Sequence, residues 1–200
     1  MSASVAEQIA AVAARLVVED GLEYATARYK AARQLLGRSL RSGEMPRNEM
    51  VEDEVRAYLD TFCADTHPAE LRVLREVAER WMERLAVHRP HVAGAVWRGT
   101  ATRRSAILLD LYCDDPKGTE IDLINQGIEY DVGGDNDADA GSVSILTVGA
   151  RSPELGTVVT LHLLLHDLDD LRGALKSDAR GRSWRGDLSA LRRRMAEDGT

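Results

Sequence analysis

The stretch from His91 to Asp115 constrains the fold of this chain most strongly. Two apolar runs of β-type composition, Val92 to Trp97 and Ala106 to Cys113, flank a small, polar and basic connector at residues 98–105. We interpret the stretch as a strand, a Gly-containing turn and a second strand that ends in acidic residues. Such an arrangement can present phosphate and metal ligands together.

The residues before this stretch have the apolar periodicity of amphipathic helices. The pattern predicts four helices, at about residues 5–19, 22–36, 49–63 and 69–87. Asn48 is expected to cap the third helix, and Tyr29 and Phe62 are among the side chains expected to face inward. The first ninety residues or so are therefore predicted to form a helical layer.

The residues after this stretch mix helix with strand. Asp115 and Pro116 are typical of a helix start, and Gly127 of a helix end, with Ile121, Leu123 and Ile124 expected on the inward face. The later elements are predicted strands at residues 128–132, 142–148 and 157–165, a short helix or turn at 167–171 and an Arg-rich helix at 186–195.

These elements predict an α+β protein in which an N-terminal helical layer packs on a small mixed β-sheet. We expect a helical region at residues 1–89, an α/β core at 90–175 and a C-terminal helical tail at 176–200, together forming one compact unit.

Composition and charge limit the classes of function. The net charge of −7 argues against a whole-surface attraction to nucleic acid or anionic membrane. The only cysteines, Cys63 and Cys113, are too few for a disulfide framework and are expected to be free thiols in a reducing compartment. No apolar run is long enough to cross a membrane, and the N-terminus lacks the features of a signal peptide. These features predict a cytoplasmic protein without a membrane partner.

The second predicted helix carries a local basic cluster, formed by Arg28, Lys30 and Arg33. Two interpretations stay open. The cluster can be a solvated, salt-bridged face, or it can bind phosphate, RNA or an acidic partner.

Several site motifs are missing or incomplete. The chain has no P-loop, no G-x-S-x-G and no H-E-x-x-H sequence. The acidic series Asp135, Asp137 and Asp139 lacks the Gly and the bidentate acid of a calcium loop, which favours a solvated hairpin tip. His162 and His166 lie on a predicted strand, where this spacing separates them by about 13 Å and rules out a helical metal pair.

The segments Gly94 to Ala101 (GAVWRGTA) and Ser105 to Asp110 (SAILLD) resemble the nucleotidyltransferase superfamily, the fold of antibiotic nucleotidyltransferases and polymerase-beta-like enzymes. The resemblance covers residues 90–170 or so and is that of a divergent, short bacterial member. In that family a Gly-Ser turn grips a nucleotide phosphate. Carboxylates that alternate along a strand hold magnesium, and the metal activates the attacking hydroxyl and stabilises the leaving pyrophosphate.

The resemblance implies a phosphate-binding segment in this chain. Gly94 matches the family's Gly, Ala95 stands in place of the Ser, and the matching turn supplies Arg98, Gly99 and Thr100. It also implies ATP or another nucleotide as the ligand.

The family's metal-binding carboxylates are not matched. Ala106 and Leu108 stand where the two metal-binding aspartates belong, and the later predicted strand supplies His162 rather than a carboxylate. Asp110 lies on the same strand face and could act as a displaced metal ligand and catalytic residue, joined by Asp114. Alternatively, Asp110 is solvated or pairs with an arginine such as Arg103.

Three functional hypotheses follow. The first is a nucleotidyltransferase-like protein with a degenerate metal site, which binds a nucleotide weakly or has a non-catalytic interaction role. The second is an active, Mg²⁺-dependent transferase of a nucleotide monophosphate to a small molecule, protein or RNA, in which Asp110 is essential. The third is a regulatory protein that binds a partner through the basic helix at Arg28 to Arg41.

Overall fold

The computed structural model describes residues 3–38, 43–133, 144–177 and 181–198. The chain is α+β, as the sequence predicts, and it divides into two compact units. The first unit comprises residues 1–70 and 100–105, and the second comprises residues 71–99 and 106–200. The acidic series at Asp135, Asp137 and Asp139 lies outside the described residues.

The first unit is helical. Its helices are α1 (Val5–Asp20), α2 (Tyr24–Leu36), α3 (Asn48–Phe62) and the first turn of α4 (His67–Arg84). Helix α1 begins at a complete capping box, because Ser4 binds the Glu7 backbone and the Glu7 side chain binds back. Helices α1 and α2 end at Gly21 and Gly37, both in the left-handed conformation.

Small side chains fill much of the core of the first unit. Fully buried alanines on α1 and α2 contribute little side-chain bulk, which lets the helices approach closely. The remaining core side chains come from α1 and α3 and include Ile9, Val51 and Val55. Two predictions for this unit are wrong: Tyr29 is 63% exposed and Phe62 is 69% exposed, although both were expected to face inward. Asn48 is the first residue of α3 rather than its cap, which is Arg47.

The second unit contains the sheet. Its elements in chain order are the rest of α4, β1 (His91–Ala93), α5 (Gly94–Arg98), β2 (Ile107–Cys113), α6 (Pro116–Asn125), β3 (Asp131–Gly133), β4 (Ser144–Ser152), β5 (Thr157–Asp167), α7 (Leu171–Ala174), β6 (Arg185–Gly186) and α8 (Leu188–Asp198). The strand order within the described ranges is β3-β4-β5-β2-β1-β6. Strands β2 and β5 are parallel and the other neighbours are antiparallel, so the sheet is mixed.

The first half of the stretch from His91 to Asp115 differs from the prediction. Only His91–Ala93 is a strand, and Gly94–Arg98 is a short helix where the sequence predicts a strand up to Trp97. The chain turns at Gly94, whose φ of +64° is disfavoured for residues with a side chain. Leu108 packs against this glycine, because a Cβ at position 94 would lie 2.8 Å from the Leu108 Cδ1.

Helix α6 starts at the expected Asp115 cap, with Pro116 in its first turn. Its inward face is narrower than predicted. Thr119 and Leu123 are buried, whereas Ile121 and Ile124 are 56% and 62% exposed, so the expected inward position of these two isoleucines is wrong.

None of the helices in the described ranges combines the length and the hydropathy that a membrane crossing requires.

Candidate functional site

The two faces of the sheet differ in chemistry. The strand registers place Leu109, Leu163 and their odd-numbered neighbours on one face, and these side chains are buried and apolar. Side chains on the other face are less apolar and many are only partly buried. We call this second surface the polar face and define it by six residues: His91, Asp110, Tyr112, His162, His166 and Arg185.

Asp110 lies at the centre of the polar face. It is 3% exposed, and its Oδ1 lies 2.7 Å from the Nε2 of His166 on β5. The Nη1 of Arg185 lies 3.1 Å from its Oδ2 and donates a hydrogen bond of 2.5 Å to the Tyr112 hydroxyl. The Asp110 Oδ1 therefore has a hydrogen-bond partner, whereas Oδ2 has the Arg185 charge beside it but no hydrogen bond from the described residues. The arginine compensates the charge of the buried carboxylate.

Aromatic contacts fix the rings around Asp110. The His166 ring stacks on Tyr112 with a centroid distance of 5.2 Å, and His91 contacts Tyr112 edge-on at 5.3 Å. Burial and, after it, the negative charge of Asp110 raise the pKa of Tyr112, so the hydroxyl stays protonated near neutral pH. The Asp110 network is thus held by packing as well as by charge.

His162 lies two residues before Leu164 on the same face. Its Nδ1 is 3.1 Å from the Thr147 Oγ1 of the neighbouring strand β4. Burial lowers the pKa of His162, so this ring is neutral near pH 7. His162 therefore adds hydrogen-bonding capacity to the polar face without adding charge.

The predicted metal ligands do not form a site that fits magnesium. Asp110 is occupied by a histidine and an arginine, and Asp114 lies on the exposed segment after β2. Magnesium requires a near-octahedral set of oxygen ligands. No group of three or more His, Cys, Asp or Glu side chains in the described part of the chain is arranged to hold a metal ion.

The predicted phosphate-binding residues of the second unit have structural contacts. Gly94 allows the close approach to Leu108, and Ala95 lies within α5. The Arg98 guanidinium stacks on the Trp184 ring at 4.0 Å. Gly99 ends α5 with a φ of +78°, the left-handed conformation that glycine favours.

Thr100 belongs to the first unit, where it is 1% exposed. Its Oγ1 lies 2.9 Å from the Tyr24 hydroxyl at the start of α2. Burial and this hydrogen bond give Thr100 a structural role. A part in phosphate binding stays a prediction.

The basic cluster of α2 is partly engaged. The Arg28 Nη1 donates to the Pro46 carbonyl at 2.9 Å, and Lys30 pairs with Asp20 at 3.1 Å. Arg33 is exposed. These contacts agree with a solvated, salt-bridged face, and binding of RNA or an acidic partner there stays a prediction.

The sequence interpretation did not anticipate the partners of Asp110. Arg185 lies in the segment that the sequence predicts to be a helical tail, and the spacing of His166 and His162 suggests only a test for a metal pair. Arg103, the arginine proposed for Asp110, instead binds Glu70 through its backbone N–H at 2.9 Å. The period-two placement of Asp110 and Tyr112 was the available signal for a shared polar surface.

The chain matches no family model, no curated protein and no solved structure.

Proposed function

We propose that this protein is a non-catalytic, metal-independent nucleotide-binding protein and that the polar face is its binding surface. The pairing of Asp110 with His166 and Arg185 carries this proposal. This pairing engages Asp110, the carboxylate on which metal-dependent transfer would have to depend.

The side chains beside the Asp110 network support a nucleotide as the ligand. Leu108, Leu164 and Ile145 lie on the same face and are partly buried, so they provide apolar area next to polar groups. Ligand sites commonly combine an apolar lining with a few placed polar groups. A nucleotide has a flat ring and polar edges, which match this combination, and the resemblance of residues 90–170 to nucleotidyltransferases points to the same class of ligand.

The competing hypothesis is an active Mg²⁺-dependent transferase. To bind magnesium, the buried Asp110 carboxylate would have to give up its contacts with Arg185 and His166, both of which are partly buried. Breaking a buried pair in this way costs about 3–5 kcal/mol. That cost favours the binding function over catalysis.

Isothermal titration of the full chain with ATP, GTP, CTP and UTP tests the proposal. We expect at least one nucleotide to bind in EDTA, with an affinity that added magnesium changes by less than about threefold, equivalent to about 0.7 kcal/mol. We also expect no pyrophosphate release. Strict dependence of binding on magnesium, pyrophosphate release that Asp110→Asn abolishes, or the absence of any nucleotide binding would each overturn it.

A further inference from the structure

A groove on the first unit is lined by the ends of α1 and α3, by residues around the start of α4 and by the connector at residues 102–104. Its volume is about 500 Å³, which is in the range of small-molecule sites. We infer that this groove binds a small planar aromatic ligand that carries a carboxylate or phosphate group. The inference is independent of nucleotide binding at the polar face, because every lining residue belongs to the first unit.

We call this surface the aromatic groove and define it by six of its lining residues: Glu19, Tyr58, Phe62, Cys63, Arg103 and Arg104. Phe62 is 69% exposed, and its ring centroid lies 4.6 Å from that of Tyr58, with the two ring planes inclined by 45°. The Tyr58 hydroxyl donates to the Glu19 Oε1 at 2.6 Å, which holds the second ring in place. Phe62 thus offers an exposed apolar surface that a flat ring can cover.

The Arg103 side chain supplies a cationic group at the same groove. Within the part of the chain that the structure describes, Arg103 forms a hydrogen bond only through its backbone N–H, which donates to the Glu70 Oε2 at 2.9 Å. Its guanidinium is exposed and has neither a hydrogen bond nor an ion pair with those residues. A guanidinium presents a planar set of donors that matches a carboxylate or a phosphate.

Contacts with α1 fix the connector that carries Arg103. The Arg104 Nη1 donates to the Glu19 backbone carbonyl, and the Arg104 carbonyl lies in the space that a side chain on Gly21 would occupy. Because these contacts exist before a ligand arrives, binding costs less conformational entropy than it would with an unattached connector.

The charge balance of the groove favours an anion. Three carboxylates line it: Glu19, Asp20 and Glu70. The first two are paired with Arg15 at 3.9 Å and with Lys30 at 3.1 Å, respectively. Once these pairs are counted, the guanidinium groups of Arg103 and Arg104 stand against the single carboxylate of Glu70, so the local charge is positive.

Isothermal titration of the full chain with four probes tests the inference. Naphthoate and naphthyl phosphate carry both features, naphthylmethanol lacks the charge, and cyclohexanecarboxylate lacks the planar ring. We expect the better of the two aromatic anions to bind about 3- to 10-fold more tightly than naphthylmethanol, through one charge-assisted hydrogen bond. It should exceed cyclohexanecarboxylate by about 2- to 10-fold, through aromatic stacking. Added NaCl should weaken binding of the anions and leave naphthylmethanol unchanged.

The two cysteines locate the bound probe. Cys63 is partly exposed in the aromatic groove, whereas Cys113 is buried. Iodoacetamide should therefore alkylate Cys63 first, as mass spectrometry of the digested protein shows. At a naphthoate concentration of about twice its Kd, this alkylation should slow about threefold, because the groove is then occupied about two-thirds of the time.

Substitutions test the two contacts separately. Phe62→Ala should lower naphthoate affinity about 2- to 10-fold. Arg103→Gln should lower it about 3- to 10-fold, and Arg103→Lys should restore part of this loss, since it keeps the charge but not the planar donors. The matched controls are Ile124→Ala, which removes a similarly exposed apolar side chain from α6, and Arg72→Gln, which removes an exposed charge from α4. Neither control should change the affinity.

Each alternative occupant of the aromatic groove has its own result. The inference is wrong if naphthylmethylamine, a cation, binds more tightly than both anions, or if the anions bind without protecting Cys63. It is also wrong if none of the probes binds. Analytical ultracentrifugation tests a second copy of the chain as the occupant, and a dimer that Phe62→Ala dissociates would replace the ligand by a self-association surface. These outcomes leave the proposed function at the polar face untouched.

Discussion

The six-membered ring of Trp97 lies in the space that a side chain on Gly186 would occupy. The indole N–H donates to the Ser183 carbonyl at 2.8 Å, and the Arg194 guanidinium covers the ring at 3.8 Å. Gly186 and Arg185 form the whole of strand β6 at the edge of the sheet. The contact between Trp97 and Gly186 therefore positions the arginine that pairs with Asp110.

Gly186→Ala should destabilise the protein by about 1–3 kcal/mol, because the new Cβ overlaps the Trp97 ring and forces either the ring or β6 to move. Urea denaturation followed by tryptophan fluorescence measures the change. Gly173→Ala is the matched control, since nothing lies within 4 Å of its Cβ position, and it should be neutral or slightly stabilising. Equal effects of the two substitutions would contradict the role of Gly186.

Asp110→Ala should cost about 3–5 kcal/mol of stability, because Arg185 and His166 lose a buried partner. The double variant Asp110→Ala, Arg185→Met should cost clearly less than the sum of the two single variants, since it leaves no unpaired charge. A double-mutant cycle from urea denaturation gives the coupling free energy. Strictly additive costs would show that the two side chains do not interact in solution.

Gly94→Ala should destabilise the ligand-free protein by about 1–3 kcal/mol, because its φ of +64° disfavours a side chain and the Leu108 Cδ1 lies 2.8 Å from the Cβ position. Thermal unfolding without nucleotide measures this cost. Adding Leu108→Ala should recover the steric part of the loss only. If Gly94→Ala weakens nucleotide binding while leaving stability unchanged, Gly94 acts on the ligand rather than on packing.

Stability should fall as the pH drops below about 6.5, the usual pKa of an unfolded histidine. Burial lowers the folded-state pKa of His67, His88 and His162. The unfolded chain therefore binds more protons than the folded chain between the folded and unfolded pKa values, so acid favours unfolding. Urea midpoints measured at neutral and mildly acidic pH show the trend.

His162→Phe provides the control for this pH dependence. It removes one of the three titrating rings, so the loss of stability between neutral and mildly acidic pH should become smaller. A pH dependence that is unchanged in this variant would assign the effect to other groups.

Local sequence signals predicted many of the element boundaries. The start of α6 is an example, because the Asp115 cap and Pro116 are start signals that act within one helical turn. Strand β5 was also predicted, because its apolar run is long and rich in Leu and Val. These features depend on residues that are near one another in sequence.

The errors arise where distant residues decide the outcome. The apolar run from Val92 to Trp97 is compatible with a strand, but Trp97 has to reach Gly186 and Leu108 has to approach Gly94, so the chain turns into a short helix. Arg103 is near Asp110 in sequence, but Asp110 pairs with Arg185. The reason is the strand order, in which β1 lies between β2, which carries Asp110, and β6, which carries Arg185. The apolar periodicity of a helix gives the direction of its buried face but not the width of that face.

The alternation along β2 and β5 has a consequence for saturation mutagenesis. Leu109, Leu111, Leu163 and Leu165 are buried on the apolar face, whereas Asp110 and His166 lie on the polar face. Substitutions at the buried odd-numbered positions should therefore lower the yield of folded protein, and substitutions at the even-numbered positions should mainly lower ligand binding. The two measured effects should alternate from one residue to the next along each strand. Each strand then supplies an internal reference that distinguishes loss of the fold from loss of recognition.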